Sequence, residues 1–361
     1  MKSQSWFYGV ALIFMVGECL AQAITTPRET SPAAAVSQTL GISIVTVNYS
    51  RPSVKGTRVW GELVPFGWNV QNVGSGNPAP WCAGANENTT ITFSHDAKVE
   101  GVSVPAGTYG LFFVINEDNS GEVILSKSNR AWGSYYYDKA NDQMRAPIKI
   151  RDNTFVELLT YDFVNLTDHS IDLVLNWEKK QFPVNIAFAV HEIVMANAKE
   201  ELQGPIGFTA DGFITAAFYS FKYNFDLDQG MKWIDQALAM EPTNFEAIRV
   251  KSRILVRNGN SAEADKLVSD GLQSASENDL TRYGYQLLQG LGLHDKAIKV
   301  FLIGTQRFPK SANAWDSLGE AYAIKGDKEN AIKSFKKALT LNPSQTTRTN
   351  SEKYLRNFGA R

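Results

Sequence analysis

A motif of eight residues near the C-terminal end constrains the fold more than any other feature of the sequence. It follows the spacing W-x2-L-G-x2-Y-x8-A-x3-F-x2-A-x4-P, and its members are Trp315, Leu318, Gly319, Tyr322, Ala331, Phe335, Ala338 and Pro343. The spacing from Trp315 to Tyr322 places bulky side chains on one face of a helix, and Gly319 lets a second helix approach closely. Phe335 fills the groove between the helices, and Pro343 ends the second helix. The motif therefore predicts a pair of packed helices.

Parts of the motif recur upstream. Pro309 lies 34 residues before Pro343, and Ala297 and Phe301 occupy the matching offsets in the preceding segment. The spacing predicts four units, at about 211–244, 245–277, 278–311 and 312–345. A final helix at Ser351–Phe358 is expected to cover the apolar face of the last unit, as such arrays require for solubility.

These residues and their period of about 34 resemble the tetratricopeptide repeat. The resemblance covers roughly 150 residues and implies a right-handed solenoid with a concave groove. Arrays of this family characteristically bind peptide segments or other proteins and are not normally catalytic. A protein or peptide partner is therefore implied for the C-terminal half.

The same resemblance implies which residues line the groove, because three positions one turn apart on each first helix face it. In the second unit these positions hold Arg249, Arg253 and Arg257. With their neighbours, the predicted groove residues are Tyr219, Lys222, Tyr223, Arg249, Arg253, Arg257, Arg282, Gln286, Asp316 and Glu320. The groove is expected to be basic in its middle and acidic at its C-terminal end, and an acidic partner would suit it. The alternative is a solvated face on which Glu246 and other acids balance the arginines.

The N-terminal half shows an apolar period of two from Ile42 onward. Val45, Val47 and Tyr49 alternate with less apolar neighbours, whereas Tyr109–Ile115 is almost continuously apolar, as in a central strand. Turn signals separate these runs, and no long helical pattern interrupts them. The pattern predicts an antiparallel sandwich or barrel.

After the N-terminal half, the spacing of apolar residues changes from the period of a strand to that of a helix. A helix is predicted at His191–Leu202, and Gly204-Pro205 ends it, so 204–210 is the candidate domain boundary. The predicted organisation is a signal peptide at 1–23, a flexible lead-in at 24–41, a β-domain at 42–190, a connecting helix and linker at 191–204, tetratricopeptide-like repeats at 211–345, and a capping helix and tail at 346–361. The chain is therefore predicted to be multidomain, with an all-β sandwich or barrel followed by an all-α tetratricopeptide-repeat solenoid.

The segment Met1–Ala23 has the features of a secretory signal peptide. Lys2 supplies a positive charge, and the apolar run at Trp6–Val16 is too short to span a bilayer. Ala21-Gln22-Ala23 fits signal peptidase, and cleavage after Ala23 would leave Cys82 as the single cysteine, so no internal disulfide is expected. We expect an exported protein, periplasmic or extracellular, with no membrane span in the mature chain. An uncleaved anchor is the alternative.

Four motifs of the N-terminal half have an unusual order of aromatic, glycine and polar residues. They are Tyr49–Gly56, Gly84–Ile91, Pro105–Tyr109 and Trp132–Asp138. Together they resemble a bacterial secreted domain-of-unknown-function family, number 2911, over Ile42–Val190. The resemblance implies export and a compact domain, and it implies no activity. The chain departs from the family pattern by an insertion at Trp68–Pro80 and by Cys82 where the family has Arg.

The motifs of the N-terminal half also suggest a site. Arg51, Asn86, Glu87, Trp132, Tyr135 and Tyr137 lie near predicted strand ends, where they could converge on one rim. Aromatic platforms with a charged pair could hold a sugar, a peptide or a small polar ligand. The alternative is structural: Asn86 caps a turn, Arg51 and Glu87 form an ion pair, and the aromatic rings fill the sandwich.

Composition excludes several classes of function. Lys and Arg number 36 against 37 Asp and Glu, a net charge of -1, so the basic excess of general nucleic-acid-binding proteins is missing. The 4 His are too widely spaced for a metal site, and no phosphate-binding glycine motif occurs. We expect no cofactor, no metal and no nucleic acid partner, and the sequence identifies no catalytic residue.

These observations favour an exported, non-enzymatic interaction or scaffold protein that binds a protein partner through the tetratricopeptide groove. The alternative is a small-ligand receptor, for a sugar or a peptide, or an enzyme with its site on the rim of the β-domain. Whether the protein is an enzyme stays open.

Overall fold

The computed structural model describes residues 28–360. They form two compact units that divide between Phe188 and Ala189. The predicted boundary at 204–210 lies inside the second unit, because the helix at Val190–Glu201 packs Met195 into that unit's core. The predicted signal peptide lies outside the described residues.

The first unit is built from strands. Those described are β1 Ala33–Leu40, β2 Ser43–Ser50, β3 Asn69–Val70, β4 Pro78–Ala79, β5 Thr90–Phe93, β6 Ala97–Val99, β7 Val102–Val104, β8 Gly107–Ile115, β9 Ser120–Ser126, β10 Asp142–Lys149, β11 Arg151–Val164 and β12 Ser170–Phe188. A single 3-10 turn, Lys139–Asn141, precedes β10.

Two main sheets pack face to face around one core. One has the order β1-β2-β5-β8-β9-β10 and the other β11-β12-β6-β7, while β3 and β4 form a separate ribbon. Neighbouring strands are antiparallel throughout the described sheets. Rings from both sheets meet between them: Tyr49 lies 4.8 Å from Tyr161, and Phe113 lies 5.2 Å from Phe182. The prediction of an antiparallel sandwich or barrel is confirmed, and the two separate sheets make it a sandwich.

The burial pattern follows the sequence period. In β2, Val45 and Val47 are fully buried and their neighbours are not, as expected when one face meets the core. In β8, the residues from Tyr109 to Ile115 are all buried, because one face meets the opposite sheet at Phe182 and the other is covered by Ala79 and Tyr137.

The predicted flexible lead-in at 24–41 is corrected at its C-terminal end, because β1 occupies Ala33–Leu40. This strand pairs with β2 in register from Ala33 opposite Ser50 to Leu40 opposite Ser43. Gly41, with a φ of 61°, turns the chain between the two strands. β1 is an edge strand whose Ala, Ser and Thr side chains are mostly exposed or half-buried, so backbone pairing holds it and no apolar run marks it.

The second unit is helical. The helices described are α1 Val190–Glu201, α2 Ala210–Tyr223, α3 Leu227–Met240, α4 Phe245–Arg257, α5 Ser261–Leu272, α6 Glu277–Tyr285, α7 His294–Arg307, α8 Ala312–Lys325, α9 Lys328–Leu339 and α10 Gln345–Asn357. A 3-10 turn at Pro205–Phe208 and a π-helical turn at Gln286–Gly290 complete the unit. The pairs α2–α3, α4–α5, α6–α7 and α8–α9 correspond to the four predicted units.

Side-chain caps fix where several of these helices begin. The side chains of Asn244, Ser276, Ser311, Asp327 and Ser344 each accept a hydrogen bond from a backbone amide in the first turn of the helix that follows. The cap at Ser344 explains why α10 begins at Gln345, six residues before the predicted start at Ser351.

Small residues of the motif let the two helices of a pair approach closely. A Cβ atom on Gly319 would lie 2.8 Å from the ring of Phe335, and one on Gly284 would lie 2.4 Å from the ring of Phe301. The same glycine and phenylalanine contact therefore recurs in the third and fourth units. Of the helices in residues 28–360, none combines the length and the apolar character needed to cross a membrane.

Candidate functional site

The first helices of the four pairs, α2, α4, α6 and α8, form one row that α10 extends. Side-chain contacts run along it from α2 to α4, from α4 to α6, from α6 to α8 and from α8 to α10. All ten predicted groove residues lie on these helices or on the π-helical turn that follows α6.

Arg249 is the most constrained of the three arginines on α4. Its Nη1 donates to Glu246 Oε2 at 2.6 Å, and its Nη2 donates to Gln286 Oε1 in the next unit. The guanidinium carbon also lies 5.3 Å from the Tyr283 ring centroid. Burial lowers the pKa of Arg249, Glu246 opposes that shift, and Arg253 adds to it. Arg249 therefore joins α4 to α6, and its charge is balanced by Glu246.

Arg253 and Arg257 have different surroundings. The Arg253 guanidinium lies 5.7 Å from the Phe221 ring centroid and 6.0 Å from that of Phe218, and Arg257 lies 4.5 Å from Phe221. Neither arginine forms an ion pair with another described residue. A guanidinium over a ring keeps N–H donors at its edge, so these two cations can still bind a carboxylate.

The other two predicted basic residues differ in their counter-charges. Arg282 lies 3.2 Å from Asp279 of α6 and 3.9 Å from Glu246 of α4, so both helices supply its counter-charges. Lys222 lies 4.9 Å from the Tyr223 ring centroid. The alternative in which acidic residues balance the arginines therefore applies to Arg249 and Arg282. It does not apply to Arg253 and Arg257.

An aromatic cluster lies at the N-terminal end of the row. Tyr219 and Tyr223 have ring centroids 4.6 Å apart, and His191 of α1 lies 4.9 Å from the Tyr223 ring. The Tyr219 hydroxyl and His191 Nδ1 share a hydrogen bond at 2.9 Å. Desolvation raises the pKa of Tyr219, so its hydroxyl stays protonated at neutral pH.

The predicted acidic end of the groove is corrected at Asp316. This side chain is only 6% exposed and accepts hydrogen bonds from Ser351 Oγ and Asn350 Nδ2. Because α10 begins early, its second turn reaches α8 and covers the carboxylate. Burial raises the pKa of Asp316, and the two hydrogen bonds oppose that shift. Glu320 accepts from the Tyr285 hydroxyl at 2.8 Å, so it too joins neighbouring units.

The first unit contains a cleft of about 690 Å³. Three of the predicted rim residues line it, namely Asn86, Trp132 and Tyr135, together with Trp81 and residues 69–73. The loop that sequence analysis identified as an insertion, Trp68–Pro80, supplies one wall. Its Ser75 amide donates to the Tyr135 carbonyl at 2.8 Å, which ties the insertion to the opposite wall.

The other three predicted rim residues lie elsewhere. Arg51 donates to Leu159 O at 2.9 Å and to Thr160 Oγ1 at 2.7 Å, so it anchors β11. Glu87 pairs with Arg28 at 2.6 Å, and no Arg51–Glu87 ion pair forms among the described residues.

Tyr137 is only 4% exposed. Its hydroxyl donates to Asp142 at 2.8 Å and accepts from Arg145 Nη2 at 2.7 Å. These bonds hold it in the core beside Phe112, and it does not line the cleft.

Comparison with known families finds one matching model in each half of the chain. Residues 31–186 match the family model described as Protein of unknown function (DUF2911). Residues 312–345 match the model described as Tetratricopeptide repeat. The second match coincides with α8, α9 and the start of α10. We call the first unit the DUF2911 unit and the second the tetratricopeptide unit.

The chain is also similar to curated proteins. It is 26% identical to "Superkiller protein 3" of Schizosaccharomyces pombe over 201 residues, which are 50% of this chain and 14% of that protein. It is 44% identical to "Superkiller complex protein 3" of Mus musculus over 55 residues, which are 15% of this chain and 4% of that protein. The chain thus spans a small part of the length of these relatives.

Among solved structures, a MamA mutant is 22% identical, with 41% of this chain and 92% of that chain covered and a TM-score of 0.24. The structure titled as a functional characterization of Pseudomonas aeruginosa pilF is 18% identical, with 43% and 71% covered and a TM-score of 0.27. YrrB, titled as a TPR protein with an unusual peptide-binding site, is 17% identical, with 43% and 97% covered and a TM-score of 0.21.

Cys82 lines the cleft of the DUF2911 unit as a free thiol. Its sulfur donates to Gly84 O at 3.7 Å, and burial raises the pKa of the thiol to about 11. A thiol with such a pKa is almost wholly protonated at neutral pH, which does not suit a nucleophile. Within residues 28–360, no three His, Cys, Asp or Glu side chains lie close enough to hold a metal ion together.

Proposed function

We propose that this protein is an exported, non-enzymatic interaction protein whose tetratricopeptide unit binds an acidic segment of a protein partner. The tetratricopeptide-like fold suits a protein–protein interaction scaffold. The observation that carries the proposal is the pair Arg253 and Arg257, two cations on one helix that form no ion pair with another described residue.

An unbalanced pair of arginines has an energetic cost. Like charges one helical turn apart destabilise a helix by about 0.2–0.5 kcal/mol. The rings of Phe218 and Phe221 hold both guanidinium groups against α2, which restricts their rotation before any partner arrives. A prearranged side chain loses less conformational entropy on binding, so the pair is suited to recognise carboxylates.

The surface around the pair is suited to a peptide. Phe218 is 38% exposed and Tyr223 is 42% exposed, so apolar ring area accompanies the charge on the α2 side. Interfaces of this kind combine aromatic anchors with a charged rim that guides association. A segment with acidic residues beside apolar ones would match both features.

Replacing both arginines by glutamate should abolish binding of acidic peptides. We would measure the affinity of the full chain for short Glu-rich peptides with interspersed Leu, and for the same peptides with Lys in place of Glu. Loss of two charge-assisted contacts and introduction of repulsion should weaken Glu-rich binding by at least about a hundredfold. Raising the salt from about 0.1 M to about 1 M shortens the screening length from ~10 to ~3 Å and should weaken the wild-type complex.

Lys296→Glu with Lys299→Glu on α7 is the matched control. It makes the same change of net charge at exposed positions on a second helix of a pair. Binding of Glu-rich peptides should survive in this variant. Equal losses in the two double variants, or preference for the Lys-rich peptides, would contradict the proposal.

The export part of the proposal is supported by the sequence of Met1–Ala23. N-terminal sequencing of the protein recovered from its natural host should begin at Ile24, because signal peptidase cleaves after Ala-x-Ala. Replacing Ala23 by a bulky Phe should block that cleavage and keep the precursor intact. Recovery of wild-type chains that begin at Met1 would contradict export by this route.

A further inference from the structure

The geometry points to the cleft of the DUF2911 unit as a binding site for a neutral oligosaccharide, with one sugar ring stacked on Trp132. This inference concerns the first unit, and it does not depend on the function proposed for the second.

The first argument is charge. The described residues that line the cleft include no Asp, Glu, Lys, Arg or His, although the chain as a whole is 20% charged. A phosphate, a carboxylate or an amine entering the cleft would lose hydration without gaining a counter-charge. The lining therefore selects uncharged ligands.

The second argument is exposed aromatic surface. Trp132 is 54% exposed and Tyr135 is 37% exposed, and both line the cleft. Backbone contacts hold Trp132 in place. Trp132 forms an isolated antiparallel β-bridge with Glu87, and the Asn88 amide donates to Ala131 O at 3.1 Å. A pyranose has a C–H face that packs on an aromatic ring, so such rings at a cleft mouth suit a sugar.

The third argument is two buried donors without acceptors. Trp177 is 1% exposed, and its Nε1 has no hydrogen-bond acceptor among the described residues. Asn86 Nδ2 is also buried without an acceptor, and both residues line the cleft. Buried polar groups in native proteins are almost always paired, and a ligand that supplies oxygen atoms at the base of the cleft would give these two donors the acceptors they lack. Sugar hydroxyls do so without adding charge.

Size and amide side chains agree with this ligand class. The cleft volume of about 690 Å³ falls within the range of small-ligand sites. Gln71 and Asn72 of the insertion add planar amides, which both donate to and accept from hydroxyl groups. A peptide that binds by strand addition would need a strand edge to pair with, and the strands at this wall, β3 and β4, are two residues long each.

The experiment titrates the full chain with cellohexaose, maltohexaose and chitohexaose while tryptophan fluorescence and binding heat are recorded. A matched charged probe, hexagalacturonate, has similar rings with carboxylates. At least one neutral hexasaccharide should bind with a change in fluorescence, and hexagalacturonate should bind at least tenfold more weakly.

The variants Trp132→Ala and Asn86→Gly should each weaken that binding at least tenfold. Glycine at position 86 keeps the left-handed backbone, which has a φ of 64°, and removes the amide donor. Tyr136→Ala is the control, because Tyr136 is 65% exposed and does not line the cleft. Circular dichroism of each variant verifies that the strands persist.

Four results would overturn the inference. They are no binding by any neutral hexasaccharide, equal or tighter binding of hexagalacturonate, unchanged binding in folded Trp132→Ala, and equal loss in Tyr136→Ala. Binding of an uncharged Gly-Ser-Ala peptide that is lost in Trp132→Ala, without sugar binding, would also overturn it and assign the cleft to peptides. Arg253→Glu with Arg257→Glu should leave sugar binding unchanged, so this test and that of the proposed function can fail separately.

Discussion

Replacing Phe335 by alanine should lower the free energy of unfolding of the tetratricopeptide unit by about 3–5 kcal/mol, as for a large aromatic removed from a core. The Phe335 side chain is fully buried, and its ring stacks on Tyr354 of α10 with centroids 4.9 Å apart. Its other side lies against Gly319, where a Cβ atom would be 2.8 Å away. Three helices therefore border the cavity that alanine would leave.

Denaturant unfolding followed by helical circular dichroism measures this loss. Trp315→Ala is the control, because Trp315 belongs to the same motif but is only half-buried, with its Nε1 donating to Pro309 O at 3.1 Å. Its loss should be smaller, about 1–2 kcal/mol. A loss below about 1 kcal/mol for Phe335→Ala, the level of a surface change, would mean that the packing of α8, α9 and α10 is assigned incorrectly.

Replacing Trp177 by alanine should destabilise the DUF2911 unit by a similar amount, about 3–5 kcal/mol. Trp177 is 1% exposed, and its ring lies 5.8 Å from those of both Trp60 and Trp81. The stacked pair Trp81 and Trp177 joins the cleft to the sandwich core, so the cavity would open at the base of the cleft.

Near-ultraviolet circular dichroism and tryptophan fluorescence are weighted toward unfolding of this unit, which holds five of the seven tryptophans among the described residues. Trp132→Ala is the control in the same unit, and its half-exposed ring should change stability by only about 0.5 kcal/mol. If both substitutions cost the same, Trp177 does not have the buried position on which the argument rests.

The repeat units could be predicted because their signal is local and redundant. The contact between Gly319 and Phe335 recurs between Gly284 and Phe301, because two closely packed helices need a residue without a side chain opposite a large ring. The start of α10 could not be predicted in the same way. Its first turn is polar and lacks an apolar period, and the Ser344 cap marks it instead. The edge strand β1 was missed for a related reason, since backbone pairing holds it and apolar burial contributes little.

The sites could be predicted only in part. Motifs near strand ends brought attention to Asn86, Trp132 and Tyr135, which the fold places along one cleft. The partner of Glu87 could not be predicted, because Arg28 is 59 residues away in sequence and reaches it only through the fold. The position of Asp316 in the repeat predicts a groove residue. Only the early start of α10, which brings Ser351 onto the carboxylate, shows that Asp316 is covered.

Affinity capture by the full chain from the cell envelope of its natural host tests the central claim most directly. Wild-type protein, Arg253→Glu with Arg257→Glu, and Lys296→Glu with Lys299→Glu would serve as parallel baits, with captured proteins identified by mass. We expect a salt-sensitive partner with an acidic segment on the wild type and on the lysine variant, and its absence from the arginine variant. Retention of the same partner by a folded arginine variant would contradict the account.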